Sequence, residues 1–302
     1  MQNKNSIIAL LLSVFCSSTV PLFLKYFTPY LDAWTVNGYR YTVVFFVMLP
    51  VVIYYYRNNK YSKHLWKVAL IPAFFNFAQQ IAWAWSPYFI DPGLIGFLIK
   101  GTVIWSIAGS FIIFVDERHL MKSKMFWFGL FVAIMGFVGL SYYGNNISLS
   151  GTFFGVILVL ISSLFMASYG LAVKKYFNET NAIVSFSIIA FYTAIGTISL
   201  MFILGEPSKI NETPINILLL IAVSAFIGIN VAHVLFYVAL RHIGVTISYS
   251  VSLFSAFFTA ILSYLLYGEK LSLFQWIAGT LIIVGGIITI WAKNRKPSIL
   301  LK

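Results

Sequence analysis

The chain has 302 residues, of which 60% are hydrophobic and only 9% are charged. Because a soluble globular protein carries about 25% charged residues, this composition excludes a water-soluble fold and predicts an integral membrane protein. The formal net charge is +12 at pH 7. The basic residues are scattered over six segments of the sequence, so they do not form the clustered surface that binds a nucleic acid.

Hydrophobic segments of the length that crosses a bilayer, about 17 to 25 residues, follow one another along the whole sequence. The loops between them are short and leave no room for a separate soluble domain. The segments lie at 7–24, 34–56, 65–86, 93–115, 125–143, 151–173, 182–204, 215–238, 244–267 and 273–291. We therefore predict an all-α integral membrane protein with ten transmembrane helices.

The first and sixth segments share a motif. Residues 13–27 read SVFCSSTVPLFLKYF and residues 163–177 read SLFMASYGLAVKKYF, with six identical positions at an offset of 150. A pair of glycines seven residues apart recurs at the same offset, as Gly129 with Gly136 and Gly279 with Gly286. A duplication of this kind fixes the architecture, so we predict one unit that occurs twice.

An odd number of helices in each half inverts the second half relative to the first. Glu117 then falls in a loop on one side of the membrane and its counterpart Glu269 in a loop on the other. We predict two inverted five-helix repeats, at 1–143 and 151–292, and a basic tail at 293–302. Inverted repeats are common in secondary transporters, where they enclose a central site.

Basic residues in the loops predict the orientation, since they are retained on the cytoplasmic side. If the helices alternate in direction, fifteen of the twenty basic residues lie on the side of the N-terminus and three on the other. The three are Lys25, Lys209 and Lys270. This bias predicts that both termini are cytoplasmic, in an integral protein of a bacterial inner membrane.

The ends of the two halves carry similar motifs. Residues 115–139 read VDERHLMKSKMFWFGLFVAIMGFVG and residues 267–286 read YGEKLSLFQWIAGTLIIVGG, each an acidic-basic turn before a glycine-spaced helix. With the basic Arg40 early in the second helix, they resemble the two EamA-type halves of the drug/metabolite transporter superfamily. The resemblance implies a secondary transporter without a cofactor, and it is compatible with uptake or export.

Ionisable residues are rare inside the predicted helices, and there each is a candidate for function. Arg40 and Lys100 are the seventh and eighth residues of helices that enter from the same side, and no acid lies within any predicted helix. Two cations at a similar depth indicate a site for a carboxylate or a phosphate. The alternative is that each side chain extends to the interface or binds helix carbonyls.

Amides and an indole share one face of the third helix. Asn76, Gln80 and Trp83 are spaced i, i+4 and i+7, with Gln79 adjacent. Amides beside an aromatic ring are typical of a site for a small polar organic ligand. The alternative is that these groups form hydrogen bonds between helices.

Asn230, His233 and Tyr237 form a similar stripe on the eighth helix, and Ser252, the counterpart of Lys100, lies on a stripe of small hydroxyl residues in the ninth. Because histidine is the residue type that can be protonated reversibly near neutral pH, His233 is a candidate for proton coupling. The alternatives are a histidine that only donates to a helix, and serines that only allow close helix packing.

These patterns predict a secondary transporter that moves a small anionic or zwitterionic metabolite, such as an amino acid or another carboxylate, by alternating access. Its partners are the lipid bilayer, the substrate and a coupled proton or counter-substrate, and no nucleic acid. We predict no catalytic residue, no metal site and no cofactor, because no Asp, Glu or repeated His at membrane depth supplies a carboxylate pair, a metal cluster or a base for a nucleophile. A membrane-embedded enzyme and a scaffold without transport remain the alternatives.

Overall fold

A computed structural model describes residues 2–58, 63–114, 122–143, 149–177, 179–243 and 251–294. Over these ranges the structure is helical and contains no strand. The α-helices are α1 Gln2–Phe27, α2 Ala33–Arg57, α3 Lys63–Trp85, α4 Pro92–Leu98, α5 Gly101–Ile113, α6 Lys124–Tyr143, α7 Leu149–Phe177, α8 Ala182–Leu204, α9 Ile215–Ala225, α10 Ala232–Ile243, α11 Ser255–Tyr267 and α12 Leu273–Asn294. Two 3-10 turns, at Ser86–Tyr88 and Pro207–Glu212, and a π-helical turn at Phe226–Val231 complete the set.

Long apolar helices make the chain an integral membrane protein. Five helical segments have the length and hydropathy to cross a bilayer, at 5–27, 33–57, 152–177, 182–204 and 215–239. Shorter apolar helical segments lie at 92–106, 124–136, 255–267 and 273–289. Large apolar side chains cover the outside, for example Ile112, Ile203 and Leu273, each more than 70% exposed. A surface of this kind is suited to lipid contact.

Two of the predicted helices are interrupted as follows, and a third, the segment 244–267, breaks at Leu253 and Phe254 before α11. The segment 93–115 forms α4 and α5, with Ile99 and Lys100 between them, and the segment 215–238 forms α9, the π-helical turn and α10. Apolar residues continue through both breaks, so the hydrophobic pattern predicts single helices. Interrupted helices in membranes occur where the backbone lies against protein or lines a cavity, and π-helical turns are frequent at functional sites.

Small residues set the close contact between α6 and α12. A Cβ atom on Gly285 would lie 2.4 Å from the backbone nitrogen of Ala133, and one on Gly129 would lie 2.8 Å from that of Thr289. Helices in a bilayer associate through such close packing, because lipid is as apolar as the side chains and there is no hydrophobic driving force between helices. Gly129, one of the repeated glycines of the sequence, is therefore a packing position between α6 and α12.

Four loops meet at one end of the molecule, which we call the acidic face: 28–32, 86–91, 205–214 and 268–272. Three contacts join the first three of these loops to each other and to the end of α1. The backbone N–H of Glu206 donates to Asp32 at 3.2 Å, and the Tyr88 hydroxyl donates to the Leu31 carbonyl at 2.5 Å. Lys25, at the end of α1, forms an ion pair with Asp91 at 3.0 Å. The acids of this face are Asp32, Asp91, Glu206, Glu212 and Glu269.

The opposite end, which we call the basic face, holds the C-terminal ends of α2 and α7. Helix α2 begins beside Asp32, and the first turns of α7 contact Ile90 through Gly155, so both helices run away from the acidic face. Lys174 and Lys175 lie in the last turn of α7, and Arg57 in that of α2. Five of the six acids that the structure describes therefore lie at the acidic face, together with Lys25, Lys209 and Lys270, and the sixth, Glu179, follows α7 at the basic face.

Candidate functional site

A cavity of about 280 Å³ lies between the helices. It is lined from α1, α2, α3, α4, α5, α7, α8, α10 and α11, together with Ser252 and the π-helical turn. Nine of the ten predicted substrate-binding residues line it, namely Arg40, Asn76, Gln79, Gln80, Trp83, Lys100, His233, Tyr237 and Ser252. Asn230 is not among the lining residues.

The cavity extends toward the basic face. Its lining includes Lys174, Phe177 and Thr180, at the end of α7 and in the loop that follows. Toward the acidic face, the lining stops at the level of Gly96 and Trp83, and no residue of the four acidic-face loops contributes to it. Among the described residues, the cavity therefore reaches the basic face and is closed toward the acidic face.

Arg40 is the most unusual group in this site. Its side chain has no exposed surface, and Nε, Nη1 and Nη2 have no hydrogen-bond partner among the described residues. Neither of the described ion pairs involves it. A buried charge without a partner is costly, and charged residues in membrane proteins almost always find one. The guanidinium therefore lies at the cavity wall with donors that the described residues leave unsatisfied.

Lys100 lies in the break between α4 and α5. Its ammonium donates to the hydroxyl oxygen of Ser255 at 2.5 Å, at the start of α11. No described acid lies within ion-pair distance of it. The serine stripe on the ninth helix predicted a cavity role for Ser252, whereas the observed contact of Lys100 is made by Ser255, on the same stripe.

The amides of α3 serve two purposes. Asn76 Nδ2 donates to Thr193 Oγ1 at 3.0 Å, and Gln79 Nε2 donates to Ser162 Oγ at 3.2 Å, so both nitrogens bind neighbouring helices. The carbonyl oxygens of Asn76 and Gln80 are buried and have no partner among the described residues. The amide nitrogens of Asn76 and Gln79 therefore fit the interpretation as hydrogen bonds between helices. The unpartnered oxygens of Asn76 and Gln80 fit the interpretation as groups for a polar ligand.

His233 is held by its own helix. Its Nδ1 atom lies 2.9 Å from the carbonyl oxygen of Ile229, so Nδ1 carries the proton, and its ring stacks on Phe186 with centroids 5.4 Å apart. The hydrogen bond to Ile229 is the one expected if the histidine only donates to its own helix. The Tyr237 hydroxyl forms a hydrogen bond with the hydroxyl of Tyr169, a cavity residue that the sequence patterns did not single out.

The π-helical turn carries Gly228 and Asn230. A Cβ atom on Gly228 would lie 3.6 Å from Arg40 Nη2, so this turn passes beside the guanidinium. Asn230 is 2% exposed, and neither of its side-chain polar atoms has a described partner. The sequence predicts Asn230 as a cavity residue, and the structure instead buries it in the turn that contacts Arg40.

Comparison with known proteins gives three results. Residues 153–291 match the EamA-like transporter family. A protein of Haemophilus influenzae described as an uncharacterized transporter is 26% identical over 191 residues, which cover 63% of this chain and 62% of that protein, less than two thirds of its length. A crystal structure of another protein has a TM-score of 0.62 at 14% identity and covers 97% of this chain and 99% of its own. That last similarity concerns the fold alone.

Proposed function

We propose that the chain is a secondary transporter of a small anionic or zwitterionic organic metabolite, and the match of residues 153–291 to the EamA-like transporter family supports this. An amino acid or another small carboxylate has the right chemistry. The substrate binds in the central cavity, and alternating access exposes that cavity to each side of the membrane in turn.

The observation that carries this proposal is the unpaired guanidinium of Arg40 in the cavity wall. Arginine presents donors in a planar fork that matches a carboxylate or a phosphate. Binding an anion there would satisfy donors that the described residues leave unsatisfied. Lys100, on another wall of the same cavity, adds a second positive charge.

The unpartnered oxygens of Asn76 and Gln80 favour a substrate that also carries donors. A carboxylate offers only acceptors, whereas an ammonium group offers three donors. A zwitterion would therefore satisfy both the cationic and the amide groups of the lining.

We also propose that residues 1–143 and 151–292 form two inverted five-helix repeats. The helix packing supports this, when α4 with α5, and α9 with α10, each count as one interrupted helix. If each helix is replaced by its counterpart in the other half, the contact between α3 and α7 corresponds to the contact between α1 and α10. In the same way, the contact between α5 and α7 corresponds to the contact between α1 and α11. Three further contacts each join a helix to its own counterpart in the other half: α2 with α8, α4 with α11 and α6 with α12.

The orientation follows from the charges at the two ends. We place the basic face in the cytoplasm, because basic loops are retained there, and the tail 293–302 on the same side. With this orientation the cavity extends toward the cytoplasm and is closed toward the outside.

Uptake into liposomes that contain the purified protein tests the proposal. Pooled labelled amino acids, organic acids and phosphorylated metabolites are screened with and without a pH gradient. We expect saturable uptake of an anionic or zwitterionic compound, and we expect Lys100→Ala to lower it. Lys67→Ala, which removes an exposed lysine outside the cavity, is the matched control.

Unchanged uptake in Lys100→Ala would contradict a role for that cation. The pH gradient tests coupling at the same time, because flux that ignores it would exclude His233 as the coupling group.

A further inference from the structure

Glu269 lies in the loop between α11 and α12 but is largely buried against α4. Its Oε2 atom accepts from the backbone N–H of Gly93 at 2.8 Å, and its Oε1 atom accepts from that of Leu94 at 3.3 Å. The Ser263 hydroxyl donates to Oε2 as well. The first N–H groups of a helix have no partner within the helix, so this carboxylate satisfies two of those of α4.

Residues on both sides of this contact, in α4 and in the loop after α11, favour it. A Cβ atom on Gly93 would lie 2.7 Å from Glu269 Oε2 and 2.9 Å from Oε1, so only glycine leaves room for the carboxylate. Gly268 has φ +66°, in the left-handed region that favours glycine, and it turns the chain directly after α11. The Tyr267 hydroxyl fixes the same corner to α1 by donating to the Leu22 carbonyl at 2.7 Å.

The two helices that Glu269 joins pack against each other at the end of the cavity nearer the acidic face. Gly96 on α4 and Thr259 on α11 both line the cavity, and a Cβ atom on Gly96 would lie 2.9 Å from that of Thr259. Glu269 binds α4 one helical turn beyond this contact, toward the acidic face. Separation of α4 from α11 at this level would open the closed end of the cavity.

We propose that Glu269 is the latch that keeps the cavity closed toward the acidic face, and that this face opens only when the carboxylate leaves the amides of Gly93 and Leu94. The proposal rests on the proposed transport function, because a closed end has a role only if it also opens. It names one carboxylate, outside the substrate lining, as the residue that controls access.

The test measures access to the cavity with a cysteine reporter. Ser17 lines the cavity and is exposed there, so Ser17→Cys in a Cys16→Ala background gives one reactive thiol. A membrane-impermeant maleimide is applied from each side of oriented vesicles. The parent should react from the basic face and slowly from the acidic face.

Glu269→Ala should raise the rate from the acidic face by about tenfold or more, because the hydrogen bonds that join this side chain to Gly93, Leu94 and Ser263 are lost. Glu212→Ala, which removes an exposed carboxylate of the same face, is the matched control and should leave the rate unchanged. Equal rates in Glu269→Ala and the parent would overturn the latch.

A second pair of variants serves if Glu269→Ala fails to fold. Gly93→Ala should open the acidic face because its Cβ displaces the carboxylate, and adding Glu269→Asp, whose carboxylate is one methylene shorter, should close it again. Opening without this rescue would contradict the latch. The readout needs no substrate, so a protein that transports nothing but opens in Glu269→Ala would refute the transport proposal and leave the latch standing.

Discussion

Arg40 is the residue at which a ligand-binding role and a structural role predict the most different surroundings. A structural arginine should be paired, yet this one is fully buried without a described partner. We expect Arg40→Met to raise the thermal stability of the ligand-free protein, since a buried charge without a partner is costly, and even a buried ion pair can be replaced by well-packed apolar side chains with a gain of up to about 4 kcal/mol. The same variant should lose stabilisation by the substrate.

Thermal unfolding in detergent, with and without the transported compound, measures both effects. Lys67→Met is a matched control, because it removes an exposed charge outside the cavity. A large loss of stability in Arg40→Met without ligand would show that the guanidinium holds the fold together.

The Glu269 carboxyl predicts how closure depends on pH. Burial raises its pKa above the ordinary value, and the charge of Asp91 adds to this, whereas the hydrogen bonds from Ser263 and Gly93 act in the opposite direction. The other charged groups nearby are Lys25, paired with Asp91, and the adjoining Lys270. Because the closed form binds the proton more tightly than a solvated carboxylate does, a fall in pH should favour closure and a rise should weaken it.

The maleimide rate from the acidic face, measured on the Ser17→Cys reporter and corrected for thiol ionisation, should therefore decrease as the pH on that face falls toward 5. Glu269→Ala should remove this dependence. A rate that increases on acidification would mean that protonation releases the carboxylate.

At the level of helices, the contact between α6 and α12 predicts unequal costs for similar substitutions. A Cβ atom at Gly285 would meet backbone atoms of Ala133 at 2.4 Å, whereas one at Gly139 would meet only the Cβ atom of Ala278 at 3.3 Å. Gly285→Ala should therefore destabilise the protein by about 1–3 kcal/mol, the usual cost of overpacking, and Gly139→Ala by clearly less. Thermal unfolding of the two variants measures the difference, and equal costs would contradict the packing described for this helix pair.

The helices also show which features of the fold can be predicted from the sequence alone. All ten predicted segments contain helix in the described ranges, because long apolar runs in a membrane protein have few other conformations. The break at Lys100 and the π-helical turn at Phe226–Val231 were not predicted, since they change backbone geometry without changing hydropathy.

The cavity residues were easier to predict than the closed end. Polar side chains within apolar helices avoid lipid, so they cluster in the interior, and Arg40 and Lys100 line one cavity for this reason. Glu269 was predicted only as a loop residue, because acids in loops are usually solvated. Its burial depends on the contact with Gly93, which joins residues 176 positions apart and leaves no local pattern.

For the whole molecule, the proposed inverted repeat predicts that the two ends respond in opposite ways. The counterpart of Glu269 in the first half is Glu117, which lies outside the described residues. If the halves are equivalent, Glu117 holds the basic face closed when the acidic face is open. Glu117→Ala should then favour the conformation described here and lower the maleimide rate from the acidic face, whereas Glu269→Ala raises it. Changes in the same direction would argue against the inverted repeat.

The central claim is that the cavity carries an anionic or zwitterionic compound across the membrane while Arg40 binds its charge. Counterflow in liposomes tests it most directly. Vesicles are preloaded with an unlabelled compound from the uptake screen, and entry of its labelled form is followed for the parent and for Arg40→Met. We predict transient accumulation of label in the parent and none in Arg40→Met, with both proteins folded. Counterflow that persists unchanged in Arg40→Met would contradict the account.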